Sequence, residues 1–309
     1  MSKDNIRIYY WTGCFNFGDE LSEYLIYHLI GEHPVLVDVD DKNKLLAIGS
    51  IINNKSLYTD SHIWGSGLLA DDIRLRLKLK VFPLTRYFPQ LFNMIGCKTK
   101  IYALRGPLSR KKIEGQSLAQ YLNRKMFVDP ENLAYGDPAV LLPLIYQNKS
   151  VEASSKVGLI FHLVQSVPDA IKQYLEQNGV RIINIERQGY EAIESFIDEV
   201  CSCDKVFSVS LHGIIVAQAY GIPAQWLQID DYPVQNHNAF KFHDYFLGVG
   251  LEPQQPLRFS FKEEPHKLVE LLSSFDVPKA TFDLALVQQR LLKAFPFPDK
   301  LKEEFRQIE

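Results

Sequence analysis

The stretch "KVFSVSLHGIIVAQAYGIPAQWLQI", residues 205–229, contains a strand, a helix and a second strand in direct succession. The runs 205–210 and 224–229 are short, apolar and rich in β-branched or aromatic residues, which predicts two buried strands. The helix between them has a face of small residues at every fourth position: Gly213, Ala217 and Gly221. This β-α-β order is typical of parallel strands joined by a crossover helix.

The same alternation extends along the chain in both directions. Strands are predicted at 6–11, 34–39, 44–49, 61–67, 100–106, 157–163, 180–185, 205–210 and 224–229. A polar stretch, 146–156, interrupts the pattern and is predicted to be a linker. We therefore expect an α/β protein with two Rossmann-like domains that face each other across a cleft. The expected units are an N-terminal domain (1–150), a C-terminal domain (151–282) and a helical tail (283–309) that packs back on the first domain.

Composition excludes several classes of protein. Hydrophobic residues make up 46% of the 309 and charged residues 23%, with a net charge of -3, so nothing points to nucleic-acid binding. The N-terminus has no signal-peptide pattern, and no apolar run approaches the length of a membrane span. The four cysteines have neither the spacing nor the histidine partners of a zinc site. We expect a cytoplasmic protein with reduced thiols and no metal.

Ligands of parallel α/β sheets bind at the carboxyl ends of the strands, so the loops there supply the candidate site. "TGCFNFGDE" follows the first strand and contributes Asn16, Gly18 and Asp19. A helix cap is the alternative role for Asp19. "GSG" contributes Gly65 and Gly67, which are equally typical of a tight turn.

Arg105 leaves a buried strand and enters "GPLSR", where Pro107 suits the first turn of a helix. A guanidinium beside free helix-start amides is suited to phosphate or carboxylate. The alternative is an arginine paired with a buried aspartate such as Asp137, which itself stands before a proline and is typical of a turn or cap.

His212 opens a predicted helix at this functional edge of the sheet. A single histidine near an apolar strand is commonly a core residue, but its place at a helix N-terminus favours contact with a ligand. Ser210 and Gly213 flank it. Histidine is also the side chain that moves protons most readily near neutral pH.

Six segments taken in order resemble the polysaccharide pyruvyl transferase family: "NFGDEL", "GSG", "ALRGPLSR", "YGDPAVLLP", "SLHGIIVAQAYGIPA" and "KFHDYF". The resemblance covers residues 16 to about 246. It implies a fold similar to the GT-B glycosyltransferases. It also implies transfer of the pyruvyl group of phosphoenolpyruvate onto two hydroxyls of a sugar in a surface or exopolysaccharide precursor, as a cyclic ketal with release of phosphate.

The resemblance implies that His212 acts at the donor and that Arg105 holds donor carboxylate or phosphate. Many relatives have arginine two residues before this histidine, where this chain has Ser210. Arg105 and Lys241 are the candidates to supply that positive charge. Asp19 is the candidate to accept the proton of the attacking hydroxyl. The partners implied are phosphoenolpyruvate and a sugar or lipid-linked oligosaccharide acceptor, with no cofactor.

The segment 71–92 fits neither domain. Cationic residues alternate with leucines from residue 74 to 80, and aromatic residues follow. A half-buried strand with a solvated face explains the pattern. The alternative is a surface, 74–92, that contacts anionic headgroups or a lipid-linked acceptor at the inner face of the membrane.

Two other functions stay open on this sequence. A GT-B glycosyltransferase with a nucleotide-sugar donor would share the fold and a histidine in the cleft. A non-catalytic carbohydrate-binding relative would explain Ser210.

Overall fold

The computed structural model describes residues 5–70, 97–115, 124–149, 155–162, 167–231 and 239–308. The segment 74–92, for which a membrane-surface role is predicted, lies outside these residues. None of the described helices combines the length and the apolar character needed to cross a membrane.

The first sheet is parallel and has six strands in the order β2-β1-β3-β4-β5-β6. They are β1 Arg7–Ile8, β2 Val35–Leu36, β3 Lys44–Leu46, β4 Ser61–Trp64, β5 Lys100–Leu104 and β6 Ala134–Tyr135. The second sheet, also parallel, has the order β11-β10-β9-β7-β8. Its strands are β7 Ser155–Ile160, β8 Val180–Ile182, β9 Cys203–Ser208, β10 Ala224–Ile229 and β11 Leu257–Phe259.

Eleven α-helices lie in the described residues. They are α1 Phe17–Ile30, α2 Asn54–Leu57, α3 Pro107–Glu114, α4 Leu142–Ile145, α5 Asp169–Gln177, α6 Tyr190–Cys201, α7 Leu211–Ala219, α8 Phe240–Gly248, α9 Pro265–Ser274, α10 Leu284–Lys293 and α11 Glu303–Arg306. Short 3-10 helices cover Pro138–Leu141 and Pro298–Lys300. The predicted α/β class is confirmed, and each of the nine predicted segments contains a strand, although several strands are shorter than predicted; β6 and β11 were not predicted.

The ends of α1 follow from its sequence. Asn16 caps the N-terminus by accepting a hydrogen bond from the Gly18 amide, 3.3 Å away. Gly31 ends the helix in the left-handed conformation, at φ 76°, and donates its N–H to the Tyr27 carbonyl. The helix start is thereby fixed next to the end of β1.

One hydrophobic cluster joins helices from the part of the chain that forms the first sheet to helices from the part that forms the second. It contains Leu25 and Leu141 from the first part of the chain and Phe196 and Ile214 from the second. The contact is reinforced where Phe17 stacks on Phe196 with ring centroids 3.9 Å apart. Helices α1 and α6 are therefore held together by shared apolar burial.

Two helices from later in the chain return to the first sheet. Trp64 of β4 donates its indole N–H to the Leu291 carbonyl of α10 at 2.8 Å, and Gln288 donates to Val140 at 2.7 Å. Helix α8 approaches β5 and α3 so closely that a Cβ added to Gly106 would lie 1.7 Å from the Asp244 carbonyl oxygen. Side chains of α8 thus reach the carboxyl end of β5.

Candidate functional site

The carboxyl ends of strands from both sheets carry the predicted polar residues. The loops after β1, β4 and β5 supply Asn16, Gly18, Asp19, Gly65, Gly67 and Arg105, and the loop after β9 supplies Ser210, His212 and Gly213. Lys241 joins them from the first turn of α8. The sequence did not place Asp137, after β6, or His162, after β7, in the site.

The His212 imidazole is wedged between α7 and α1. A Cβ added to Gly18 would lie 2.0 Å from His212 Nδ1, so the ring fills the space that a larger residue would need. On the other side, a Cβ at Gly213 would lie 2.4 Å from Ser208 Oγ and 2.7 Å from Ile160 Cδ1. The two glycines therefore fix the histidine by close packing.

Asp137 faces His212 from the end of β6. Its Oδ1 accepts the Ala139 amide at 3.1 Å, which makes it the predicted cap, here of a 3-10 helix. Its Oδ2 lies 3.7 Å from His212 Nε2, and neither atom has a hydrogen-bond partner within the described part of the chain. The separation is within ion-pair distance and longer than a hydrogen bond.

Gly65 determines where Asp137 lies. It adopts φ 88°, and an added Cβ would lie 2.2 Å from Cδ of Pro138. Only glycine allows both this backbone conformation and this contact with the Asp-Pro turn. The turn expected at Gly65 is found. Gly65 affects the site by leaving room for Pro138, the residue after Asp137.

Asp19 lies one turn into α1, on the side of His212. Asn16 caps the helix, so the alternative of Asp19 as the cap is not what the structure shows. Asn16 Nδ2 donates to Asp19 Oδ2 at 3.0 Å. Burial raises the pKa of the Asp19 carboxyl, while His212, Asn16 and Lys241 act in the opposite direction.

Arg105 is buried and paired. Its Nε donates to Asp244 Oδ2 at 3.2 Å, its guanidinium nitrogens donate to Ser50 Oγ at 2.7 Å and the Leu68 carbonyl at 2.6 Å, and its side chain is 1% exposed. The alternative of an arginine paired with a buried aspartate is thus realised, with Asp244 in place of Asp137. Gly67 permits this placement, because an added Cβ would lie 2.5 Å from the guanidinium carbon.

Lys241 is also buried, and its Nζ lies 5.4 Å from the centroid of the Phe242 ring. It is 9% exposed, and no hydrogen bond or ion pair joins its ammonium to any residue of the described ranges. Burial lowers the pKa of Lys241 to about 8, the nearby charge of Arg105 adds to this, and Asp19 partly offsets it. A buried cation without a counter-ion favours an anionic ligand.

His162 is a second imidazole at this edge, two residues beyond the end of β7. In the parallel pairing of β7 with β9, Ile160 lies opposite Ser208, which brings the loop of His162 beside that of His212. Burial and the charge of Lys241 lower the pKa of His162 to about 4, so the ring is neutral at pH 7. The predicted strand 157–163 included His162, whereas β7 ends at Ile160, so the histidine lies in the loop at the carboxyl end.

Ser210 precedes α7 at the position where arginine was expected. Its amide donates to Ser208 Oγ at 3.1 Å, and its carbonyl accepts from the same hydroxyl at 2.7 Å. Ser210 is thus part of the turn that starts α7.

Comparison with known proteins gives one weak match. The chain is 24% identical over 257 residues to "Uncharacterized protein L143" of Acanthamoeba polyphaga mimivirus, which covers 82% of this chain and 77% of the viral protein. No family model matches the chain. The resemblance to the pyruvyl transferases therefore stays a prediction. Within the described residues, no group of three or more histidine, cysteine, aspartate or glutamate side chains is placed to hold a metal ion.

Proposed function

We propose that this protein transfers the pyruvyl group of phosphoenolpyruvate onto two hydroxyls of a sugar in a polysaccharide precursor and releases phosphate. The observation that carries the proposal is the Asp19 carboxyl, on which the charges of both the buried Lys241 ammonium and the His212 imidazole act. This combines a place for an anion with a proton-transfer group.

The donor meets the requirement of Lys241 for a counter-ion. Phosphoenolpyruvate carries a carboxylate and a phosphate, and either one would compensate the ammonium. Arg105 is neutralised locally by Asp244, so its proposed role is to position this wall of the site rather than to bind the donor. The neutral ring of His162 adds a hydrogen-bonding group beside Lys241.

His212 is the proposed acid. Its protonated ring, with Asp137 3.7 Å away, would deliver a proton to the methylene carbon of the donor, and the neighbouring carbon would become electrophilic. A first sugar hydroxyl then forms a C–O bond to that carbon. The C–O bond to phosphate breaks, and the second hydroxyl forms the bond that closes the ketal.

Asp19 is the proposed base. Two hydroxyl protons leave the sugar in the complete reaction; one replaces the proton delivered by His212, and the other leaves on phosphate. The raised pKa of Asp19 makes its carboxylate a better proton acceptor than an exposed aspartate. The scheme uses no cofactor.

The proposal also concerns architecture. Because the residues come from strand ends of both sheets, we place the reaction in a GT-B-like cleft between two Rossmann-like domains, 1–150 and 151–282. The cytoplasm is the proposed compartment, and a peripheral membrane contact through 74–92 would deliver a lipid-linked acceptor.

The test is to incubate the protein with phosphoenolpyruvate and candidate acceptor glycans, and to measure phosphate release and the added mass of the product. Lys241→Met should abolish donor binding measured by calorimetry. Lys100→Met, an exposed lysine at the start of β5, is the matched control and should bind as wild type does.

The two alternatives give different results in the same assays. A glycosyltransferase would bind a nucleoside diphosphate and not phosphoenolpyruvate. A non-catalytic relative would bind glycan with no phosphate release. Either pattern would contradict the proposal.

A further inference from the structure

Two aromatic side chains stand exposed on the loop that joins β1 to α1. Trp11 is 55% exposed and Phe15 is 48% exposed, whereas the other tryptophans, Trp64 and Trp226, are 0% and 2% exposed. Large aromatic side chains left in water at the edge of a site commonly mark a surface that a ligand covers.

The loop is shaped to hold the indole. A Cβ added to Gly13 would lie 2.5 Å from Trp11 Cζ2 and 2.8 Å from Trp11 Nε1, so the ring packs directly on the Gly13 backbone. The contact restricts the indole while more than half of the side chain stays in solvent. An ordered, exposed ring loses little further entropy when a ligand packs on it.

The loop leads directly to the site. Phe15 precedes Asn16, which donates to Asp19, and Gly18, against which His212 packs, lies three positions after Phe15. Three residues of chain span at most about 11 Å. A ligand in contact with Phe15 is therefore within reach of the imidazole.

Charge decides which ligand fits. Residues 11–16, "WTGCFN", include no charged side chain, and α1 begins with the acidic residues Asp19 and Glu20. These carboxylates disfavour an anionic lipid surface. A neutral sugar suits the setting, because its C–H face packs on aromatic rings while its hydroxyls donate to carboxylate and amide oxygens.

We propose that Trp11 and Phe15 form the platform on which the pyranose ring of the acceptor lies, with its hydroxyls directed toward Asp19. The role as acceptor rests on the proposed function; the binding of a neutral glycan does not. The platform would select acceptors with an uninterrupted C–H face.

The test uses an array of immobilised neutral glycans. Wild-type protein should bind a subset of them. Trp11→Ala should weaken that binding by about tenfold or more, and Trp11→Phe should retain most of it. Val128→Ala is the matched control, since Val128 is 52% exposed and its amide donates to Ile101 near the start of β5, at the opposite edge of the sheet.

Tryptophan fluorescence gives a second measurement, because Trp11 is the exposed member of the three. A glycan identified on the array should shift its emission to the blue and protect it from acrylamide. An array without binding, equal binding by Trp11→Ala, or protection by phosphatidylglycerol vesicles instead of glycan would overturn the platform.

The experiments can contradict either proposal without contradicting the other. Donor binding that depends on Lys241, together with glycan binding indifferent to Trp11, would leave the transferase and remove the platform. Glycan binding that depends on Trp11, without donor binding or phosphate release, would keep the platform and remove the transferase.

Discussion

Nε2 of His212 and Oδ2 of Asp137 lie 3.7 Å apart, and both atoms are buried without a hydrogen bond inside the described ranges. Asp137 comes from the end of the first sheet and His212 from the end of the second. The pair therefore exists only when the two parts of the chain are packed together.

Asp137→Asn tests the pair. Asparagine can still accept the Ala139 amide, so the melting temperature should change little, but the charge beside His212 is lost. We expect phosphate release to fall by about 10²-fold, within the range of general acid catalysis. An unchanged rate of phosphate release would show that Asp137 does not assist His212.

Lys241→Met should stabilise the protein while it removes donor binding. The pKa of Lys241 is about 8 in the folded chain and 10.5 as its ordinary value, so the unfolded chain binds more protons between these pH values. Wild-type stability should therefore rise with pH across this window. Below it, the variant should be more stable by on the order of 1–3 kcal/mol. Urea unfolding at pH 7 and pH 10 measures the difference, which should shrink at the higher pH.

Asp19→Asn should likewise raise the stability of the protein and lower its activity. Burial raises the pKa of Asp19 in the folded chain, so the folded state favours the protonated form. The stability that this carboxyl contributes to the folded state is complete below the pKa of the unfolded chain. It is lost as the pH rises through the pKa of the folded chain. At pH 7 the neutral amide should raise the melting temperature and greatly lower turnover. If turnover is unaffected, Asp19 is not the base.

Gly18→Ala should displace the histidine. The new methyl group would lie 2.0 Å from His212 Nδ1, so either the ring or α1 must move. We expect a loss of activity of at least about tenfold, because small misplacements of catalytic groups are costly. In a His212→Ala background the space is free, and alanine's better helix propensity should make the same substitution neutral or stabilising. Denaturation of the four proteins in this cycle measures the coupling; strict additivity would contradict the contact.

Asp244→Ala should be among the most destabilising single changes. It removes the partner of buried Arg105 and two acceptors of Ser109, whose amide and hydroxyl bind Asp244 at 2.9 and 2.6 Å. Breaking a buried ion pair costs about 3–5 kcal/mol. Chemical denaturation should show this loss. The exposed pair Arg258–Asp230 is the comparison, and Asp230→Ala should cost far less.

The sequence by itself determined the two parallel sheets and the strand ends where the polar residues gather. Apolar runs and helical spacing are local signals, and the direction of a parallel strand fixes the edge at which the next loop lies. The sequence also selected His212, Gly18 and Lys241 as candidates, and the structure packs Gly18 against the His212 ring.

Only the tertiary structure decided what these residues contact. Arg105 binds Asp244, 139 positions later in the chain, because α8 returns to β5 at Gly106. That pairing compensates Arg105, whereas no hydrogen bond or ion pair joins the Lys241 ammonium to another residue in the described part of the chain. The partner of a charge is set by which distant segments share a buried space, and the spacing of residues along one chain does not contain that information.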